Sequence, residues 1–195
     1  MKKLFRPYLA IFLIGSLVAT TTACSDDDDP EPIEEQELIT TVRIDLVPEE
    51  GKGQPASATF RDLDGEGGND ATIETLNLAP NTVYTATLTF LDESKTPAED
   101  ITEEVEEEGD EHEIFYQVLN TITGENLQNN LTVTNRDTDS NGLPLGLQAT
   151  ITTTNSSSGT LRITLKHQPG GLKTSNSNIT VGETDVEANF PVVIQ

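Results

Sequence analysis

Apolar and polar residues alternate with period two along most of the chain beyond residue 40. In TTVRIDLVP, Val42, Ile44 and Leu46 share a face while Arg43 and Asp45 point away. ASATFRD pairs Ala58 with Phe60, and VYTATLTFL sets Tyr84, Ala86, Leu88 and Phe90 against Thr85, Thr87 and Thr89. The same spacing groups Ile114, Tyr116 and Val118; Leu147, Ala149 and Ile151; Leu161, Ile163 and Leu165; and Val186, Ala188, Phe190, Val192 and Ile194. Weaker strands are expected at 73–78 and 131–135. Strands that bury one face belong in antiparallel sheets packed against each other, not in a parallel α/β sheet. The pattern predicts an all-β fold: one antiparallel β-sandwich of eight or nine strands over residues 37–195. TTTNSSSGTL, between two strong strands, reads as a hairpin with a polar loop. Pro191 suggests that the last strand lies at a sheet edge, because proline cannot donate to a ladder.

One segment breaks the alternation. TPAEDITEEVEEEGDEH predicts a short acidic helix over about 97–108, with Thr96 as N-cap, Pro97 at the first helical position and Glu99 as the capping-box acid. Ile101 and Val105, four apart, would dock it on the sandwich. Glu104 and Glu106 to Glu108 crowd the C-terminal end, where the helix dipole disfavours negative charge. Either a cation sits nearby or the cost is tolerated, and the local sequence favours tolerance.

Leu78, Pro80, Asn81, Thr82 and Tyr84, in LNLAPNTVY, resemble the Leu-x-Pro-x-x-x-Tyr corner of fibronectin type III domains. The resemblance implies an immunoglobulin-like sandwich in which Pro80 and Tyr84 form a structural corner, the tyrosine hydroxyl bonding back to the preceding turn.

The N-terminus changes the picture from fold to address. Lys2, Lys3 and Arg6 precede the apolar run Leu9 to Val18, and Thr21, Thr22 and Ala23 are small. A run of ten is too short for a membrane span of about 20 residues, so residues 1–23 read as an export signal. Cys24, the single cysteine, stands where a bacterial lipoprotein is acylated, although Thr21 replaces the usual leucine three positions earlier. Residues 24–36, containing DDDDPEPIEEQ, read as an acidic disordered tether. Removing the signal takes away three of the eleven basic residues and none of the 34 acidic ones, leaving a net charge of −26. Such a field repels nucleic acid and anionic lipid headgroups and attracts cations.

Candidate chemistry follows from that charge. DTDSNG places Asp137, Asp139 and Asn141 at positions 1, 3 and 5 of a calcium loop with Gly142 at position 6, but Gln148 stands where the bidentate glutamate belongs. RDLDGEGGND offers Asp62, Asp64 and Glu66 as a looser relative. Turn chemistry explains both stretches equally well, since Asp, Asn and Gly are turn residues. His112 opens one strand and His167 closes another, each in register with apolar neighbours. If these strands pair antiparallel, both rings meet at one end of the sandwich, where Asp110 and Glu111 can join them. Two imidazoles and a carboxylate suit zinc, copper or another divalent ion; the imidazoles alone suit haem. No cofactor is certain from the pattern; a divalent cation is favoured over haem, because the chain has no tryptophan and little aromatic lining. After the signal there is no nucleophile elbow, paired-histidine zincin motif or phosphate loop, and the expectation is a non-enzymatic protein.

CSDDDD, ATFRDLDGEGG, LTFLDES, PAEDITEEVEEEGDEH, TDSNG and LRITLKHQP together resemble a family of small Bacteroidota outer-membrane lipoproteins often labelled "type 1 periplasmic binding fold superfamily protein". That label implies a two-lobed α/β fold, which the strand alternation contradicts. Serine and acids after the lipid cysteine resemble the export signal of surface-displayed lipoproteins. This implies anchorage in the outer membrane facing outward, the periplasmic leaflet being the alternative, and partnership with a TonB-dependent receptor. The first functional expectation is thus a lipid-anchored binding or accessory module, and the second a divalent-metal protein for uptake or sequestration.

Overall fold

The structure, a computed structural model, describes residues 38–49, 52–65, 67–120 and 127–195. These belong to the compact unit Gln36–Gln195; the signal, Cys24 and the tether lie outside the described residues. Among the described residues no helix is long and apolar enough to cross a membrane.

The domain is a β-sandwich. One sheet runs β3 (Thr72–Ile73), β2 (Ala56–Arg61), β1 (Thr41–Pro48), β5 (Val83–Asp92), β9 (Gln148–Thr153), β8 (Leu131–Thr134), with β6 (Glu99–Asp100) beside the end of β5. The other runs β4 (Leu76–Leu78), β11 (Glu183–Ile194), β10 (Ser157–His167), β7 (His112–Asn120). All pairs are antiparallel except β4 with β11. The residues aligned by the period-two pattern fill the space between the sheets: Val42, Ile44, Leu46, Leu88 and Phe90 from one side, Leu161, Ile163, Leu165, Phe190 and Val192 from the other, all buried. Burying each such side chain contributes about 1.5–3 kcal/mol, which fixes strand orientation, since a one-residue slip would expose a whole row.

The expected tyrosine corner is present. Tyr84 is buried and its hydroxyl accepts the Ala79 N–H at 2.9 Å, while Thr153 Oγ1 donates to the Ala79 carbonyl at 2.7 Å. A two-lobed α/β fold is not what the described residues form.

Four expectations need correction. The described residues hold eleven strands, not eight or nine: 73–78 is two pieces, β3 and β4, which belong to opposite sheets, and β6 is an added two-residue strand. TTTNSSSGTL is not a hairpin. It carries the chain from β9 in one sheet to β10 in the other, and Asn130 holds the crossing through bonds from Thr154 Oγ1 (2.9 Å) and Asn155 Nδ2 (3.2 Å). The helix α1 spans only Thr102–Glu107. Glu99 and Asp100 are drawn instead into pairing with Leu91 and Asp92, Glu99 is ion-paired with Lys95, and Asp100 Oδ1 caps the Thr102 N–H at 3.0 Å. Ile101 and Val105 are buried as expected. Finally, β11 is not an edge strand, because β4 flanks it; but β4 pairs only Val192 to Ile194, so Pro191 falls just outside the flanked stretch.

A cation does sit at the end of α1, although it pairs with Asp139 and not with the crowded glutamates. Lys173, from the loop between β10 and β11, is buried and its ammonium donates to the Gly109 carbonyl just past the helix end and to Asp139 Oδ2 at 2.8 Å. The cation comes from 64 residues away, which no local reading of the helix can see.

Candidate metal centre

The aspartate-rich loops use their oxygens internally. Asp137 Oδ1 accepts the N–H groups of Gly146 (2.8 Å) and Gln148 (3.0 Å). Asp139 Oδ1 accepts those of Asn141 (2.8 Å) and Leu143 (2.9 Å), and Lys173 occupies Oδ2. Asn141 itself is exposed. The loop is a turn neutralised by a lysine, which speaks against calcium there. Asp62 caps the Gly65 N–H at 2.9 Å. Asp64 binds the backbone and side-chain N–H groups of Asn69, which hold its carboxyl below the usual range. Glu66 lies outside the described residues.

The histidines converge. β7 and β10 pair antiparallel with His112 directly opposite His167. Their rings stack, with centroids 4.8 Å apart and planes 14° from parallel. That contact leaves no room for a porphyrin between them, so the arrangement does not suit bis-histidine haem ligation. Glu108, exposed at the C-terminal end of α1 and four residues before His112, completes a cluster: one ligand atom from each of Glu108, His112 and His167 lies within 4.8 Å of the others.

Each side chain is held by a different element. His112 Nδ1 lies 3.2 Å from the Glu108 carbonyl. A carbonyl can only accept, so Nδ1 carries the proton and Nε2 presents its lone pair. Burial is the main cause that drives the His112 pKa down to about 4; the Glu108 carbonyl opposes it, the charge of His167 adds to it, Glu111 opposes and Lys173 adds. At neutral pH the ring is therefore neutral, the form that binds metals. His167 is anchored by its neighbours: Gln168 N–H donates to the Glu111 carbonyl at 2.6 Å, and Gly170 N–H to Glu111 Oε1 at 3.2 Å. This leaves Glu111 Oε2 3.6 Å from His167 Nε2. Gly182 (φ +75°) passes so close that a Cβ there would sit 2.1 Å from the His167 carbonyl, so the return to β11 requires glycine.

A further carboxylate arrives from β11. The β10–β11 register slips between Leu165, opposite Val186, and Lys166, opposite Thr184. Asp185 is thus the extra residue of a β-bulge, a device that re-aims a side chain. Its carboxyl is 3% exposed, with Oδ2 4.0 Å from His112 Nε2.

Of the four residues the sequence nominated, the structure brings His112 and His167 together and sets Glu111 beside His167 but outside the cluster with Glu108. Asp110 is exposed and outside the cluster. Glu113 points to the opposite face, bound by Arg136 (3.0 Å) and Ser177 (2.6 Å). Glu108 and Asp185 were missed. The four-residue spacing from Glu108 to His112 was a usable signal; nothing in GETDVEANF announces a bulge.

Two imidazoles, that of His112 held neutral by burial, and several carboxylates at one end of a sandwich can take a divalent transition ion. The ring lone pairs lie in nearly parallel planes, so a shared ion requires one ring to swing; His167, at the strand end and 19% exposed, has more room than His112 at 2%. Comparison of the chain with protein-family models, curated proteins and solved structures gave no match.

Proposed function

We propose that this protein is a lipid-anchored, non-enzymatic module of the cell envelope that binds a divalent transition metal, zinc or copper, through His112, His167 and Glu108. The observation that carries the reading is the cross-strand histidine pair with a carboxylate within 4.8 Å. It favours the second of the two sequence expectations over a general accessory role. Imidazole nitrogen suits zinc and copper, whereas calcium and magnesium prefer all-oxygen sets.

A chain with 34 acids will bind many cations weakly, so stoichiometry decides. Calorimetry on the full chain is expected to show one zinc or copper(II) site in the micromolar range or tighter. The double substitution His112→Ala and His167→Ala should weaken it by at least about 100-fold, leaving only weak, salt-sensitive binding. Binding no tighter than millimolar, unchanged by the double substitution, would remove the reading.

The address is supported by the signal-like N-terminus, Cys24 and the acids behind it. Several acyl chains on one cysteine give durable anchoring, at about 0.8 kcal/mol per buried CH₂. We place the domain on the outer face of the outer membrane, where Ser25 to Asp29 serve as the sorting tag. Protease treatment of intact cells should then remove it, and alanines at Asp26 to Asp29 should protect it; protection of the unaltered protein would put it on the periplasmic leaflet.

A further inference from the structure

Three features of the described surface and interior compete for attention. The Asp62–Asp64 loop is an acidic cluster whose oxygens already serve its own turn. Lys173, Asp139 and Gly109 form a closed internal staple. The bulge at Asp185 differs from both, because it spends ladder regularity to bring a carboxylate inside, next to a histidine.

We propose that Asp185 is a ligand of the metal centre, so that the site is a four-coordinate set of His112, His167, Asp185 and Glu108. The inference deepens the metal-binding reading and rests on it. Its first support is the bulge. By strict alternation from Val186, Ala188 and Phe190, residue 185 would face outward; the slip between Leu165 and Lys166 turns it inward instead. Bulges concentrate where a side chain must be re-aimed, often beside functional sites.

The second support is distance. Asp185 Oδ2 and His112 Nε2 are 4.0 Å apart, beyond a hydrogen bond. Two zinc bonds of about 2.0–2.1 Å place their ligand atoms about 3.3 Å apart at a tetrahedral angle and about 4.1 Å apart when opposed. The observed separation fits one ion between them after a small closure. The third support is the tautomer. With Nδ1–H committed to the Glu108 carbonyl, the nitrogen facing Asp185 is an acceptor. A ring nitrogen whose lone pair lies on the side of Asp185 is a ligand atom on that side.

The resulting centre has a deep half and a rim. His112 and Asp185 are almost wholly enclosed, His167 is partly buried, and Glu108 is exposed. Four protein ligands close the coordination sphere, the pattern of sites that hold an ion rather than present it to substrate. Glu111, fixed by Gly170, lies beside the site with Oε2 3.6 Å from His167 Nε2.

The test uses cobalt(II) as a spectroscopic stand-in for zinc, added to the full chain. The unaltered protein is expected to give the strong visible absorption of four-coordinate cobalt. Asp185→Asn should lose that intensity and bind zinc about 100-fold more weakly, yet still bind through the remaining three ligands. Asp185→Cys should add a near-ultraviolet sulfur-to-cobalt absorption, which appears only if side chain 185 touches the ion; the unaltered chain controls for Cys24. Unchanged zinc affinity and spectrum in Asp185→Asn, or no sulfur band in Asp185→Cys, overturns the assignment while leaving the three-ligand reading intact. If the unaltered chain binds neither ion, both fall together.

Discussion

Replacing Lys173 with methionine is expected to cost the domain about 3–5 kcal/mol. The lysine side chain is fully buried and the Asp139 carboxyl 1% exposed, with Nζ and Oδ2 2.8 Å apart. Burial opposes ionisation of Asp139, but the Lys173 ammonium and the Leu143 and Asn141 N–H groups outweigh it and hold the carboxyl below its usual range. Methionine keeps most of the stem and removes the charge, so Asp139 is left as a buried anion and the Gly109 carbonyl loses its donor. Urea denaturation should show a lower midpoint with an unchanged slope, the signature of lost stability rather than altered compactness. The pair Lys173→Met with Asp139→Asn should recover most of the loss, because asparagine keeps an oxygen for Asn141 and Leu143 without the charge. A single-variant cost below about 1 kcal/mol would mean that the pair behaves like a surface salt bridge. The Asp139 contribution is fully present above about pH 4 and is lost as the pH falls through its depressed folded value.

That lysine shows where the sequence stops being informative. Strand faces were legible because each residue's burial follows from its neighbours two positions away, as in Val42, Ile44 and Leu46. The tyrosine corner was legible because Ala79 and Tyr84 are five residues apart. Sheet membership was not. TTTNSSSGTL has the composition of a hairpin, and only Asn130, about 25 residues earlier, reveals that the chain is crossing between sheets. The start of α1 misled for a similar reason. Thr96, Pro97 and Glu99 carry a good capping signal, yet pairing of Glu99 and Asp100 with the end of β5 overrides it.

The site divides along the same line. His112 and His167 could be placed at one end of the sandwich from parity alone, since both sit at strand termini in register with buried residues. Glu111 came with them as a sequence neighbour. Asp185 could not, because a bulge inverts the parity on which the reasoning depends. The same physics explains the aspartate loops: Asp137 and Asp139 have the spacing of a calcium loop, but a turn that must cap four N–H groups needs the same residues.

Acidification from pH 7 to pH 4, with metal removed by a chelator, should cost about 3 kcal/mol through His112 alone. Burial puts the folded pKa at about 4, against an ordinary value of 6.5 that the unfolded chain regains. Below 6.5 the unfolded state takes up a proton that the folded state refuses, so stability falls across a window of two and a half pH units, at about 1.36 kcal/mol per unit. The contribution is fully present above pH 6.5 and gone near pH 4, a window that lies above the one set by Asp139. Urea denaturation from pH 7.5 to 4.5 on the unaltered chain and on His112→Gln separates this residue from the other acids, since their titration is common to both. Equal slopes would show that His112 accepts a proton in the folded state as easily as in the unfolded one. Saturating zinc should make the unaltered protein's loss steeper. An ion at 100 times its dissociation constant adds about 2.7 kcal/mol at neutral pH, and protonating His112 removes one of its ligands. If the proposed metal centre is right, stability and metal release follow the same proton, and acid that loosens the β7 end of the sandwich also releases the ion.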